Sequence, residues 1–145
     1  MDGASVVATA VAFAWMGMVL ALSFIETPLK FRAPNVTLPI GLGIGRLVFD
    51  ALGRIELVLG LVLALSFVAI GSVTSVAWAA LALIWIVVLG QRFVLRPRLA
   101  GRTDAVIRGE QVPPATYHLW FVALDVIKVV LLAVLGSAIM LGIPT

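Results

Sequence analysis

Residues 57–91 read LVLGLVLALSFVAIGSVTSVAWAALALIWIVVLGQ, a run of 35 positions without one charged side chain. As a single helix the run would extend about 52 Å, far past a hydrocarbon core of about 30 Å. It must fold back on itself. Gly71-Ser72-Val73-Thr74-Ser75 is the stretch with turn-forming residues, so the run reads as two apolar helices joined by a short turn. Toward the N-terminus, Ala4 to Ile25 carries no charge and forms a first span. Toward the C-terminus, Tyr117 to Leu141 forms a last one. The second span is harder to start. Its apolar pattern begins at Leu38 but carries Arg46, Asp50, Arg54 and Glu56. Residues 38–70 as one helix would measure about 50 Å. The expectation is an interfacial helical extension followed by the span proper from about Ala51. The four spans are then about 4–25, 51–70, 76–95 and 117–141.

Composition agrees. The 145 residues are 63% hydrophobic and 12% charged, with a mean hydropathy of +1.21. A soluble domain is roughly half apolar and a quarter charged. The expected fold class is all-α: a polytopic membrane protein, a four-transmembrane-helix bundle forming one integral domain over residues 1–145. No length remains for a separate soluble catalytic module. The absence of cysteine excludes disulfides, thiolate metal sites and thiol nucleophiles. A single histidine excludes an intrachain His–His metal pair. Met1-Asp2-Gly3 lacks the basic region of a secretory signal, so the first span is expected to be retained.

The net charge of +3 is topogenic, with no nucleic-acid partner implied. Lys30, Arg32, Arg46 and Arg54 lie between span one and the core of span two. Arg92, Arg96, Arg98, Arg102 and Arg108 lie at and after the end of span three. The turn between spans two and three holds no cation, and neither does either tail. The positive-inside bias places both basic segments in the cytoplasm and both termini outside, in the plasma membrane of a bacterium. The basic segments can also meet anionic lipid headgroups at the cytoplasmic face. Tyr117 and Trp120 fall at the inner boundary and Trp78 near the outer one, whereas Trp15 and Trp85 sit mid-span and pack between helices. Small residues mark close helix approach: Ala10, Ala14, Gly17 and Ala21 on span one, Gly41, Gly45 and Gly53 on the extension, Gly60 and Ala64 on span two. They read as packing within the chain or as the seam of a homodimer.

Charges within spans are costly, about 2.5–3.5 kcal/mol each on insertion scales, and normally find partners. Counted inward from Gly71 and Gly142, Glu56 lies 15 residues deep and Lys128 lies 14, while Arg54 and Asp125 both lie 17 deep. Matching depths predict the pairs Glu56–Lys128 and Arg54–Asp125. Arg54 and Glu56 diverge by about 200° around their helix, so both pairs cannot be ideal. Arg46, Asp50 and Arg54 can instead pair along their own helix at i, i+4. Glu26, Arg54, Glu56, Asp125 and Lys128 are the candidate substrate-binding residues, with bundle-holding ion pairs as the plainer reading of the same groups. Pro28 is expected to turn Thr27 out of helix and bend the chain at the close of span one. Gly41-Leu42-Gly43-Ile44-Gly45-Arg46 has no preceding strand and is a poor phosphate loop. Met16 and Met18 lie about 200° apart and cannot share a copper ion. His118, beside Tyr117, is a candidate cofactor ligand or an ordinary interfacial histidine.

In order along the chain, Trp15-x-Gly17, Pro28-x-x-Phe31, Gly45-Arg46-Leu47-Val48-Phe49, Arg96-Pro97-Arg98 and His118 at the head of the last span resemble the copper-resistance D-like superfamily of small four-helix membrane proteins. That superfamily includes the four-helix protoporphyrinogen oxidase and uncharacterised relatives. The resemblance implies a four-helix fold. Its oxidase branch implies heme held by histidines on separate spans, and span one here has no histidine. Its copper branch implies metal handling by Met and His. The leading expectation is a non-enzymatic protein that binds or transports a small amphiphile or ion at an intramembrane charged site, without a cofactor. A heme-dependent membrane oxidoreductase using His118 is the alternative, and a membrane-complex subunit or assembly factor is another.

Overall fold

The computed structural model describes residues 1–113 and 116–142. Four helices account for nearly all of them: α1 Gly3–Lys30, α2 Leu38–Ile70, α3 Ser75–Ile107 and α4 Tyr117–Met140, each long and apolar enough to cross a membrane. There is no strand among the described residues. The helices form an antiparallel bundle in chain order. α1 packs along α4 and α2, and α3 closes the square against the same two, which leaves α1 and α3 diagonal.

Local chemistry sets the helix ends. Asp2 caps α1 by accepting from the Ser5 backbone N–H at 2.7 Å, which holds its carboxyl below the usual carboxylate range. α2 ends at Gly71, whose φ of 73° is the left-handed conformation that favours glycine. Thr74 starts α3 by accepting from the Ala77 N–H at 3.4 Å. The turn expected over residues 71–75 thus lies at 71–74.

Pro28 behaves differently from expectation, and α3 runs past its expected end through Pro97. Thr27 is helical, with φ −56° and ψ −51°, and α1 runs on through Pro28 to Lys30. Proline lacks an N–H, and its ring collides with the carbonyl four residues back. α1 accommodates this with a widened turn over Leu20–Glu26, closed by the Thr27 N–H on the Leu22 carbonyl five residues earlier. The Thr27 hydroxyl donates to that same carbonyl at 2.9 Å. α3 repeats the device: Gln91–Leu95 is wide, the Arg96 N–H bonds the Gln91 carbonyl, and Pro97 follows. So α3 does not stop near Leu95 but continues to Ile107.

α2 is likewise one unbroken helix of 33 residues, about 50 Å long. Its first turns and the last turns of α3 pack together as a two-helix extension at the basic end of the bundle. Arg46 donates to Asp104 at 2.6 Å and to the Ala100 carbonyl at 2.8 Å, and Arg96 donates to Asp50 at 3.2 Å. The extension expected before span two therefore has a counterpart after span three.

The apolar core fills the opposite end. Ala8, Ala12, Trp15 and Val19 of α1 meet Leu63 and Phe67 of α2, Leu81, Ile84 and Val88 of α3, and Leu132 and Leu135 of α4. Trp78 stands edge-on to Phe67, with ring centroids 5.3 Å apart. Several small residues serve packing within the chain: a side chain at Gly41 would strike the Phe31 ring, and one at Gly53 would meet Arg92 and Arg96. Ala10, Ala14, Gly17 and Ala21 do not. All four are exposed, because the buried stripe of α1 runs through Ala8, Ala12, Trp15, Val19 and Ser23. A β-carbon at Gly60 would lie 2.9 Å from the Trp85 ring and 3.4 Å from the Trp15 ring. Gly60→Ala is therefore expected to cost about 1–3 kcal/mol by forcing two indoles apart. Thermal unfolding in detergent, followed by tryptophan fluorescence, measures this; Gly17→Ala, which meets nothing within 4 Å, is expected to be near neutral.

Candidate functional site

Beneath the apolar layer, all four helices contribute polar side chains to one buried cluster. Its centre is the Lys128 ammonium of α4, which is 1% exposed. It donates to Gln91 Oε1 at 2.8 Å and forms ion pairs with Glu56 Oε1 at 2.5 Å and Asp125 Oδ1 at 3.1 Å. The cluster holds two carboxylates against one ammonium, and neutral donors support the difference. Trp15 Nε1 donates to Glu56 at 3.0 Å, Ser23 Oγ to Asp125 Oδ2 at 2.6 Å, and Gln91 Nε2 to Asp125 Oδ1 at 2.7 Å. Gln91 Nε2 also donates to the Phe121 carbonyl at 3.2 Å, so both its amide ends are occupied. Hydrogen bonds to charged groups in such a low-dielectric setting are stronger than surface ones.

Helix phase explains how these groups meet. Asp125 and Lys128 are three residues apart and share one face of α4. Trp15 and Ser23 continue the buried stripe of α1, and Gln91 continues that of α3. Ser23 lies within the widened turn of α1 and Gln91 opens the widened turn of α3. Such single wide turns are common where a helix serves a site.

Matching depth brought Glu56 and Lys128 together as expected. The other expected pair does not form. Arg54 points away from the bundle, 71% exposed, and pairs with Asp50 along α2 at 2.8 Å. The two-residue step from Arg54 to Glu56 turns one outward when the other turns inward. Asp125 is held by α1, α3 and its own helix instead. Glu26 stands apart from the cluster and pairs with Lys30 at 3.4 Å. Gln91, Ser23 and the indole N–H of Trp15 are members that counting charges did not find. Their signal was present: polar groups on otherwise apolar faces, spread over about two helical turns on α1 in the case of Trp15 and Ser23.

Between the cluster and the basic end lies a cavity of about 540 Å³. Ser23 and Asp125 form its floor. Phe31, Leu42, Phe49 and Phe121 form apolar walls, with Phe49 and Phe121 edge-to-face at 5.5 Å. Lys30, Arg46, Arg96 and Arg102 stand around it with His118. Every helix contributes to the lining. Its size suits a small molecule, and apolar walls with few polar groups at defined positions are the usual character of such sites.

No protein-family model, no curated protein and no solved structure matches the chain. The chemistry must therefore be read from these residues. Among the described residues, no cluster of histidine and acidic side chains is arranged to hold a metal ion. A heme in the cavity would find the imidazole of His118 and no second imidazole or thioether among the lining residues, so the donor set does not fit the histidine-ligated arrangement that the resemblance implies.

Lys128→Met is expected to destabilise the fold by about 3–5 kcal/mol, since it leaves two buried carboxylates without their cation. Glu56→Gln in the same chain is expected to recover part of that loss, and unfolding of the two single variants and the double variant measures the coupling. Arg54→Ala is expected to change stability by less than about 0.5 kcal/mol.

Proposed function

We propose that this chain is an integral membrane protein of a bacterial plasma membrane that binds a small amphiphile in the cavity between its four helices. The single observation that carries the reading is the cavity itself: about 540 Å³ of space with apolar walls, in a bundle whose other end is filled by a close-packed core. A chain that needed only to hold its helices together would gain by filling that space. The buried charge cluster forms a polar floor and the core closes the bundle beyond it. A ligand would therefore enter from the basic end or from between the helices, and the arrangement suits binding or one-sided capture rather than an open pore.

The proposed orientation has the basic end in the cytoplasm and both termini outside. Nine of the ten cations gather at that end, with Lys128 the exception. The heme oxidoreductase reading loses support from the lone His118. The remaining candidates, Glu56, Asp125 and Lys128, act in this reading as the structural floor of the site; Glu26 and Arg54 lie outside it.

The chain has no native cysteine, so single cysteines report topology without background. Ser72→Cys is expected to react with a membrane-impermeant maleimide on intact cells, and Gly109→Cys only after permeabilisation; the reverse pattern would overturn the orientation. Val122 lines the cavity wall. Val122→Trp fills the space and is expected to weaken one-to-one binding of a decyl-chain amphiphile by about tenfold or more, the equivalent of about 1.4 kcal/mol. Native mass spectrometry of the detergent-released protein measures this. Unchanged binding in a folded Val122→Trp protein would remove the cavity from the account.

A further inference from the structure

The groups around the cavity are of one sign at its mouth. Lys30, Arg46, Arg96 and Arg102 line it, and the only acidic residue that does is Asp125. That carboxylate is at the floor and already accepts from Ser23 and Gln91 and faces Lys128. Three of the four cations have acidic partners: Lys30 has Glu26, Arg46 has Asp104 and Arg96 has Asp50. Arg102 has none, neither ion pair nor hydrogen bond, among the described residues. Its Nε is buried and unpartnered, and so is the Nε of Arg46.

A guanidinium is planar, always charged and weakly hydrated, and its donors match phosphate and carboxylate oxygens in pairs. Burying such donors without an acceptor is costly, so two at one cavity mark the place where an acceptor belongs. Thr103, 8% exposed and also on the lining, adds a hydroxyl. Below the arginines, Phe31, Leu42, Phe49 and Phe121 offer nothing polar. The seven-residue step from His118 at the head of α4 to Asp125 at the floor gives that stretch an axial length of about 10 Å.

We infer that the ligand of this cavity is an acidic amphiphile, whose phosphate or carboxylate group is held by Arg102 and Arg46 while its apolar part lies along the phenylalanine walls. The inference rests on the amphiphile-binding reading and specifies its headgroup. Basic pockets between membrane helices at the cytoplasmic face are suited to anionic headgroups. A cationic amphiphile would meet four like charges at the mouth, and its only acidic counterpart at the floor is already saturated.

Native mass spectrometry of the full chain with four probes separates the possibilities: decyl phosphate, decyl glucoside, decyltrimethylammonium and inorganic phosphate. Decyl phosphate is expected to bind about tenfold or more tightly than decyl glucoside, as charge-assisted hydrogen bonds require. Arg102→Gln is expected to abolish that preference, and Arg102→Lys to retain part of it. Arg98→Gln removes a cation at the same end but off the cavity lining, and is expected to leave the preference intact. Should Arg102→Gln fail to fold, the phosphate-over-glucoside ratio in the native chain still decides. Equal binding of the phosphate and glucoside probes, or tighter binding of the trimethylammonium probe, would overturn the headgroup inference and leave the cavity reading standing. Inorganic phosphate competing as well as decyl phosphate would make the ligand a free anion and overturn the amphiphile. No binding of any decyl probe would defeat the cavity reading itself.

Discussion

An ammonium ion shut inside an apolar bundle must be paired and hydrogen-bonded, and Lys128 finds its partners on three helices: Glu56 on α2, Gln91 on α3 and Asp125 on its own. That requirement fixes much else. α2 must turn so that Glu56 faces inward, α3 must bring Gln91 to the same level, and α4 must present Asp125 one turn from the lysine. α1 joins through Trp15 and Ser23. The cluster therefore sets the rotation and register of all four helices, which dispersion packing alone would leave loosely specified. Breaking such a buried set is expensive even where forming it contributes little net stability. Its value is that one arrangement of the helices satisfies every member.

The cavity follows from the same arrangement. Both prolines, Pro28 and Pro97, lie just past the level of the cluster, each preceded by a widened turn. A wide turn holds an extra residue and so shifts the phase of everything after it. In α3 the half-buried positions after Gln91 are Arg92, Leu95 and Arg96, followed by Leu99 and Ala100. Arg96 and Arg102 thereby line the cavity at the basic end beside Leu99. Ion pairs between the extensions of α2 and α3 then hold these two walls to each other. Core, polar floor and basic mouth succeed one another along the bundle, and the ligand site we propose occupies the space between the last two.

Much of this was legible in residues 57–91 and in the distribution of arginines. Four apolar helices and the turn at Gly71 follow from length and charge alone, and depth counting paired Glu56 with Lys128. Other features were not legible, for identifiable reasons. Depth alone paired Arg54 with Asp125, but the roughly 200° between Arg54 and Glu56 sends Arg54 outward, where the alternative i, i+4 pairing with Asp50 forms. Formal charge overlooks Gln91, Ser23 and the Trp15 indole, which donate to the buried carboxylates. Pro28 read as a break because sequence shows the missing N–H but not the five-residue turn that absorbs it, a device that recurs before Pro97. The small stripe of Ala10, Ala14, Gly17 and Ala21 suggested a packed face, yet the larger Trp15 and Val19 set which side of α1 is buried.

The most direct measurement is a solid-state NMR distance between the Lys128 ammonium nitrogen and the Glu56 carboxyl carbon, in protein labelled at lysine and glutamate and reconstituted in bilayers. Lys30 and Glu26 form the one other lysine–glutamate ion pair among the described residues, so a Lys30→Gln background isolates the signal. A separation under about 4 Å, the span of a formed ion pair, is the predicted result. A separation well beyond that contact range, with Lys128 turned out toward lipid, would contradict the buried cluster and with it the floor of the proposed site.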